Sequence, residues 1–294
     1  MIKKRSAGEY LFDGLNVVLM LVLVFITVYP LYYIAVCSIS DSNQLIGARG
    51  MIFFPKGMNL RAYQSVFNNP NILTGYRTTI VVVVFGTLLN VIMTAIGAFL
   101  ITRKKFAVRK VVSYMMVFTM FFSGGMIPTY LMVYKWLHLG DTLWALILPT
   151  AISTYNLLIM KSNFETLPDS LEEAAKIDGA NDITVLVRII LPLSMPIIAV
   201  MILFYGVTHW NSWFQAMMYI RTRTRYPLQL ILREVLLMND VSGMGSSAAM
   251  GDQHMLGESI KYATIMVATV PILCVYPFIQ RFFVKGIMVG AIKG

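Results

Sequence analysis

Six long stretches of the chain contain no charged residue, and this pattern limits the possible folds more than any other feature. The stretches are residues 14–40, 78–102, 111–134, 142–160, 189–220 and 262–280, which together make up half of the 294 residues. A helix needs about 20 mostly apolar residues to cross about 30 Å of hydrocarbon. Helices are favoured there because a backbone in lipid must satisfy its polar groups internally. The sequence therefore predicts an all-α integral membrane protein with six transmembrane helices.

The overall composition excludes a soluble globular domain. Only 13% of the residues are charged, 57% are hydrophobic and the mean hydropathy is +0.71. A soluble domain carries about 25% charged residues, so this chain has about half the usual supply. Disorder is excluded by the same values, because disordered chains combine low hydrophobicity with high charge.

The net charge of +10 fits the basic rims of a membrane protein better than a nucleic-acid surface. Basic residues are densest in the segments on the side of the two termini, and Arg103–Lys110 has five of them in eight positions. The positive-inside rule then predicts that both termini are cytoplasmic. The first apolar stretch exceeds the 7–15 residues of a signal-peptide core, so we expect the first helix to be retained.

Sequence signatures of enzyme chemistry are missing. The chain has no HExxH, GxSxG or Walker A motif, and Cys37 and Cys274 lie inside apolar stretches without metal-ligand spacing. The six stretches also lack the intramembrane charges that mark ion-coupled transporters. The sequence predicts no catalytic residue and no metal site. An ion channel and an integral membrane enzyme remain as rival classes, testable by transport without an ATPase or by turnover of a lipid or peptide.

The segment Lys161–Arg188 departs from the basic trend, because it holds six acidic residues and three basic ones. Ser170 and Glu173 have the spacing of a capping box, which predicts a helix from Leu171 onward. Gly179 is placed to end that helix, and Asn181 or Asp182 is placed to cap a second one. Together these signals predict a helix-turn-helix knuckle with a shallow alanine face. Local features alone leave open whether it docks a partner or is a solvated linker.

The spacing within this knuckle resembles the EAA signature of ABC importer permeases. The matching residues are Glu173, Ala174, Ala175, Gly179, Ile189, Leu191 and Pro192, with Asp178 directly before the glycine. The fifth apolar stretch, with its Trp210–Trp213 segment, and the ending at residues 280–294 are similar to the carbohydrate-uptake branch, in particular to MalG-like and LplC/YtcP-type subunits. The resemblance extends over essentially the whole chain.

This resemblance implies a MalG-like type I ABC importer permease fold in a bacterial plasma membrane. The implied organisation is a cytoplasmic N-terminus (1–13), a six-span permease domain (14–294) with spans near 14–40, 78–102, 111–134, 142–160, 194–220 and 262–280, a coupling loop (161–192) and a cytoplasmic tail (281–294). In such a fold the EAA residues dock in a groove of an ATPase. Lys285, Gly286 and Lys293 are the expected contacts of the tail.

The family also implies the partners and the cargo. They are a second, non-identical permease, an ATPase dimer that holds ATP and Mg, an extracytoplasmic sugar-binding protein, an oligosaccharide and the lipid bilayer. The chain itself would bind no cofactor and no nucleic acid. A non-sugar solute, such as a peptide or an anionic metabolite, is the alternative cargo. Arg221, Arg223 and Arg225 leave room for an acidic sugar, although acidic residues in the same loop offset them.

A polar cluster in the fifth apolar stretch is the candidate substrate path. Its residues are Tyr205, Thr208, His209, Trp210, Asn211, Ser212 and Gln215. Hydroxyl and amide groups bind sugar hydroxyls, and aromatic rings can lie against the apolar faces of sugar rings. Tyr205, Thr208, His209 and Ser212 are expected on one helical stripe. The alternative is that the cluster joins helices to each other through hydrogen bonds.

Overall fold

A computed structural model describes the backbone of residues 7–46, 50–103, 106–244 and 251–291, and the side chains of 8–45, 50–103, 106–237, 259–278 and 280. Within these ranges all regular elements are helical, apart from one isolated bridge between Ser40 and Met58. The α-helices are α1 (Ala7–Ser38), α2 (Ser42–Ile46), α3 (Arg61–Asn68), α4 (Pro70–Thr102), α5 (Arg109–Phe121), α6 (Met126–Leu131), α7 (Trp144–Ile147), α8 (Thr154–Phe164), α9 (Asp169–Ile177), α10 (Asp182–Val185), α11 (Leu191–Leu193), α12 (Met195–Trp210), α13 (Trp213–Tyr219), α14 (Leu228–Met244) and α15 (Gly251–Ala291). The all-α prediction is confirmed.

Three of the described helices are long and apolar enough to cross a membrane. They are Gly8–Ser38 of α1, the whole of α4, and Ser259–Phe278 of α15. Two bent pairs also qualify: α5 with Met126–Trp136, bent by 116°, and Asp182–Leu193 with α12, bent by 86°. If each bent pair counts as one span, the described residues contain up to five spans. The count of six spans and the cytoplasmic termini stay predictions.

The bends occur where the sequence interrupts helical geometry. Between α5 and α6, Gly125 has a φ of +86°, which L side chains rarely adopt. Ser194 separates α11 from α12, and a π-helical turn at Leu186–Ile190 precedes it. The stretch 142–160, predicted as the fourth span, is divided among α7, a 3₁₀ turn at Leu148–Thr150 and α8.

The chain divides into two compact units, and the first comprises Met1–Asn69 and Glu234–Thr269. In this unit Val36 and Cys37, near the end of α1, pack with Leu45 and Ile52. A buried hydrogen bond of 2.7 Å joins the hydroxyls of Ser42 and Ser259. The part of α1 before this core is exposed and almost entirely apolar, as expected for a helix whose neighbours are lipid or other chains.

The second unit comprises Pro70–Arg233 and Val270–Gly294, and α4 packs there against α8 and α12. Along one face of α4 runs a stripe of small and polar residues: Gly75, Thr79, Gly86, Asn90 and Thr94, all buried. Steps of four and seven residues keep a stripe on one side of a helix. Small residues on such a face let helix backbones approach closely, which is a common way of packing helices in membranes.

Two glycines of this stripe mark the closest approaches. A Cβ at Gly86 would lie 2.5 Å from Nε2 of His209 in α12. A Cβ at Gly75 would lie 3.1 Å from the backbone Cα of Leu228. Neither position can hold a side chain without displacing its neighbour, so these glycines set the distance between α4 and the elements beside it.

Candidate functional site

The predicted knuckle is present as two short helices. Helix α9 ends at Ile177, and Gly179 follows with a φ of +81°, the left-handed conformation expected for the turn. Asn181 then caps α10, because its side-chain oxygen accepts a hydrogen bond of 2.8 Å from the backbone N–H of Thr184. The prediction of a helix-turn-helix with Gly179 at the turn is confirmed, and of the two candidate caps, Asn181 and Asp182, Asn181 is the one that caps α10.

The predicted capping box at the start of the knuckle is wrong. Helix α9 begins at Asp169, with Pro168 in the N-cap position, so Ser170 already lies inside the helix. No side chain caps this end, and Glu173 makes no reciprocal bond to it. A proline fixes φ near −65° and has no N–H to satisfy, which allows it to start the helix two residues earlier than the hydroxyl predicted.

The EAA residues are distributed over two faces of the knuckle. Glu173, Ala174, Asp178, Gly179 and Pro192 are exposed, whereas Ile189 and Leu191 are partly buried. Ala175 is buried in the hydrophobic core of the unit, together with Val185 and Leu186. The expected shallow face therefore consists of Ala174 without Ala175, because Ala175 faces the protein's own core.

A network of charged side chains joins the knuckle to the end of α4. Arg103, the residue after α4, forms an ion pair with Glu172 of α9. Glu172 also accepts a hydrogen bond of 2.5 Å from Nζ of Lys176, which lies 3.4 Å from the Asp182 carboxylate in α10. Burial lowers the pKa of the Arg103 guanidinium from its usual value, and the carboxylates of Asp182 and Asp169 oppose that effect.

The sequence analysis did not predict this network, although it identified both of the charged segments that form it. The acidic excess of residues 161–188 and the basic cluster at Arg103–Lys110 were noted separately. Opposite charge excesses on two segments of the same predicted side of a membrane indicate that the segments can pair. The specific pairing of Arg103 with Glu172 depends on the fold, because 68 positions lie between the two residues.

Two members of the polar cluster form hydrogen bonds between helices. Nε2 of His209 donates a 2.6 Å hydrogen bond to Oδ1 of Asn90, and Nδ2 of Asn90 donates to the carbonyl of Thr150. The hydroxyl of Tyr205 lies 2.6 Å from Oγ1 of Thr94 and accepts a hydrogen bond from the backbone N–H of residue 153. His209 and Tyr205 are 2% and 3% exposed, so these bonds are shielded from solvent.

The remaining members of the cluster are placed differently. Thr208 and Asn211 are exposed, and each donates from its side chain to a carbonyl of its own helix. Ser212 is buried, and α12 has already ended at Trp210, so the predicted stripe does not continue to residue 212. Gln215 lies in α13, beyond this break. The seven residues therefore do not form a single polar face.

A large cavity lies beside the buried face of α12. Its volume is 1290 Å³, and its lining from α4, α8, α12 and residues 271–276 is mostly apolar. Of the predicted path residues it contains Tyr205, Thr208, His209 and Trp210, but not Asn211, Ser212 or Gln215. Thr87 and Trp210 are among the residues that line this cavity, and within the described part of the chain the Thr87 hydroxyl and the Trp210 indole N–H are buried without a hydrogen-bond partner.

One carboxylate organises a loop of the second unit. Oδ1 of Asp141 accepts hydrogen bonds of 2.9 Å from the backbone N–H groups of Arg221 and Thr222, and Oδ2 accepts one of 2.5 Å from the Thr222 hydroxyl. The guanidinium of Arg225 lies 3.3 Å from Oδ2. These interactions, led by the Thr222 hydroxyl, lower the pKa of Asp141 to about 2. Asp141 therefore fixes the loop Arg221–Arg225, called the arginine loop below.

The predicted contacts of the cytoplasmic tail lie outside the described part of the chain. Lys293 lies outside the described residues, as do the side chains of Lys285 and of residue 286. Where side chains are described, the structure contains no group of three or more His, Cys, Asp or Glu residues suited to a metal ion.

Comparison with known proteins identifies the family. Residues 92–289 match the family described as "Binding-protein-dependent transport system inner membrane component". The chain is 40% identical to the polygalacturonan/rhamnogalacturonan transport system permease protein YtcP of Bacillus subtilis, over 97% of this chain and 99% of that protein. It is 42% identical to protein LplC of the same organism, over 98% of this chain and 97% of that protein.

The fold has a close counterpart among solved structures. It matches a chain from a bacterial ABC transporter involved in the import of the acidic polysaccharide alginate, with a TM-score of 0.86 and 29% sequence identity. The match covers 95% of this chain and 99% of the other. These similarities confirm a transport protein rather than an enzyme. The chain belongs to the family of inner membrane components of binding-protein-dependent transport systems, as a permease subunit of an ABC importer.

Proposed function

We propose that this permease imports an oligosaccharide across a bacterial plasma membrane, together with a second, non-identical permease, an ATPase dimer and an extracytoplasmic sugar-binding protein. YtcP is named for polygalacturonan and rhamnogalacturonan, and the similar solved structure belongs to an alginate importer. Both names refer to acidic polysaccharides, so an acidic oligosaccharide is the favoured cargo. ATP and Mg would be held by the ATPase subunits.

The observation that carries this proposal is the position of Glu173 on the knuckle. Its side chain is exposed, and within the described residues it forms no hydrogen bond or ion pair, while Ala175 two residues later is anchored in the core. A rigidly held helix with a free carboxylate on its outer face is suited to docking a basic groove of another protein. Energy from ATP hydrolysis would reach the permease through this contact.

The cavity beside α12 is the proposed path of the sugar. Thr87 and Trp210 line it and carry a hydroxyl and an indole N–H that have no partner among the described residues, and Tyr276 adds a second aromatic residue to the lining. Sugars are bound by hydrogen bonds to their hydroxyls and by aromatic surfaces against their apolar faces. In this proposal the path uses Thr87, Thr208 and Trp210, while Tyr205 and His209 hold its wall in place.

The coupling assignment is tested by charge reversal at Glu173. Cells that lack the native chain receive the wild type, Glu173→Lys, or Glu165→Lys, and uptake of labelled oligogalacturonide is measured. Glu165 is an exposed control on the same side, and its ion-pair partner among the described residues is Lys161, at 2.9 Å. We expect Glu173→Lys to abolish uptake without loss of the chain from the membrane, and Glu165→Lys to leave uptake intact. Normal uptake and ATPase assembly in Glu173→Lys would refute the docking role.

The path and the cargo are tested by Thr87→Val, which removes one hydroxyl and keeps the shape of the side chain. Loss of one hydrogen bond of about 0.5–1.5 kcal/mol predicts a KM for the sugar about 2–12-fold higher. Thr27→Val is the matched control, since the Thr27 hydroxyl bonds only to its own helix. An unchanged KM in Thr87→Val would exclude Thr87 from the path. Preferential uptake of a neutral malto-oligosaccharide over oligogalacturonide would exclude the acidic cargo.

A further inference from the structure

The ion pair between Arg103 and Glu172 is a partly buried charged contact. The two side chains are 21% and 12% exposed, respectively. The guanidinium of Arg103 also lies over the ring of Phe99, 4.1 Å from its centroid, which fixes the arginine against the last turns of α4. Glu172 is thereby held at the end of α4.

The pair is part of a network that reaches both helices of the knuckle. Lys176 contacts Glu172 at 2.5 Å in α9 and Asp182 at 3.4 Å in α10. The side chain of Arg103, directly after α4, is therefore connected to α9 by its ion pair and to α10 through one lysine. The adjacent acid, Glu173, lies about 100° further round the helix and is exposed. The two consecutive glutamates thus have separate environments, one turned toward the protein and one toward its surroundings.

Partly buried charges of this kind fix geometry more than they add stability. Removing one partner of a buried ion pair leaves an uncompensated charge, which is strongly destabilising, whereas replacing both partners can be nearly neutral. An apolar contact would hold α9 against α4 without a defined register. In this network Glu172 has two basic partners, Arg103 and Lys176, which restrict the ways in which α9 can lie against the end of α4.

We propose that Arg103 and Glu172 are positioning residues that clamp the knuckle to α4, so that displacement of the knuckle moves α4 with it. This inference rests on the proposed coupling role of the knuckle. Helix α4 also carries Asn90 and Thr94, whose hydrogen bonds hold His209 and Tyr205 in the wall of the cavity. The clamp therefore connects the exposed face around Glu173 with the cavity through a single continuous helix.

The test uses the full importer complex in proteoliposomes with four variants: Arg103→Gln, Glu172→Gln, the double variant, and Glu165→Gln as the exposed control. Measurements are oligogalacturonide uptake, ATP hydrolysis, and hydrogen exchange of the backbone of residues 169–177. We expect each single clamp variant to lower sugar taken up per ATP by about tenfold and to speed exchange in α9, while basal hydrolysis persists. The double variant should lose about as much as either single variant and no more, because all three variants break the same clamp.

Three results would each refute the proposal that Arg103 and Glu172 clamp the knuckle to α4. In the first, exchange in α9 is unchanged in Arg103→Gln. In the second, exchange is faster but sugar taken up per ATP stays at the wild-type value. In the third, the double variant loses as much coupling as the two single variants combined, since the losses are then independent. Failure of the proposed docking role is recognised separately, because it leaves uptake normal in Glu173→Lys whatever happens at Arg103.

Discussion

The hydrogen bond between His209 and Asn90 provides the sharpest test of how the polar cluster works. We predict that His209→Ala lowers the stability of the chain, whereas Asn211→Ala has almost no effect. His209 is 2% exposed and bonded across the helix interface at 2.6 Å, while the Asn211 side chain bonds to the carbonyl of Val207 in its own helix. The two substitutions therefore remove an interhelical contact and a local one, respectively.

The expected magnitude has two parts. Deleting a buried side chain of this size leaves a cavity, and large-to-small core substitutions cost about 2–5 kcal/mol. The hydrogen bond itself adds less, because such bonds in membranes average about 0.6 kcal/mol and reach about 1.7. We therefore expect about 2–4 kcal/mol for His209→Ala, with a coupling energy to Asn90 of about 1 kcal/mol. Asn211→Ala should stay within about 0.5 kcal/mol, as surface substitutions usually do.

The assay is a double-mutant cycle of His209→Ala and Asn90→Ala, with unfolding followed by circular dichroism as SDS is titrated into mixed micelles. The cycle isolates the interaction because the cavity cost cancels between its two sides. A coupling energy near zero would show that the 2.6 Å contact adds nothing to the packing of α4 against α12. An equal loss of unfolding free energy in His209→Ala and Asn211→Ala would contradict the assignment of the two residues to different roles.

Three further predictions concern the glycines and the arginine loop. Gly179→Val should abolish uptake and Gly179→Asn should retain it, since the φ of +81° costs a β-branched residue about 1–2 kcal/mol and asparagine tolerates that conformation. Gly75→Ala should destabilise the chain by about 1–3 kcal/mol in the same SDS titration, because the new Cβ meets the backbone of Leu228, whereas Gly14→Ala, with open space around it, should not. Asp141, whose pKa of about 2 lies below its usual 3.8, should stabilise the loop fully above pH 4 and lose that effect as the pH falls toward 2. Asp141→Asn should remove this pH dependence from proteolysis rates at residues 221–225, at a cost of about 1 kcal/mol after allowing for solvent screening.

The sequence was sufficient to predict the class of the protein and the main elements of the knuckle. Long uncharged stretches indicate membrane-spanning segments, because lipid excludes charges regardless of tertiary contacts. They do not show where a helix breaks, and the stretch 142–160 is divided among three short elements. The turn at Gly179 and a cap at Asn181 or Asp182 were predicted because positive φ and side-chain capping are local properties of a few residues. The start of α9 was predicted wrongly because two residues could precede the helix. The helix begins after Pro168 and not after Ser170.

The contacts that position the site were harder to predict, because each joins residues distant in the sequence. Asn90 and His209 are separated by 119 positions, and Thr94 and Tyr205 by 111. A usable signal was nevertheless present in α4. Small and polar residues recur on one side of an otherwise apolar helix, at Gly75, Thr79, Gly86, Asn90 and Thr94. In a membrane helix such a stripe predicts a helix–helix interface, although not the identity of the partner.

The polar residues of the fifth apolar stretch were predicted either to line the sugar path or to join helices. The two roles can be assigned to different residues by asking which polar groups already have a hydrogen-bond partner. The Tyr205 hydroxyl already has two partners, and the Nε2 of His209 is used by Asn90. A buried group whose bonds are filled has little left to offer a sugar hydroxyl. Trp210, in contrast, lines the cavity and carries an indole N–H with no partner among the described residues, and Thr87 of α4 lines it with a hydroxyl that also has none. Substitutions at the first pair should therefore change stability before specificity, and substitutions at the second pair should change specificity before stability.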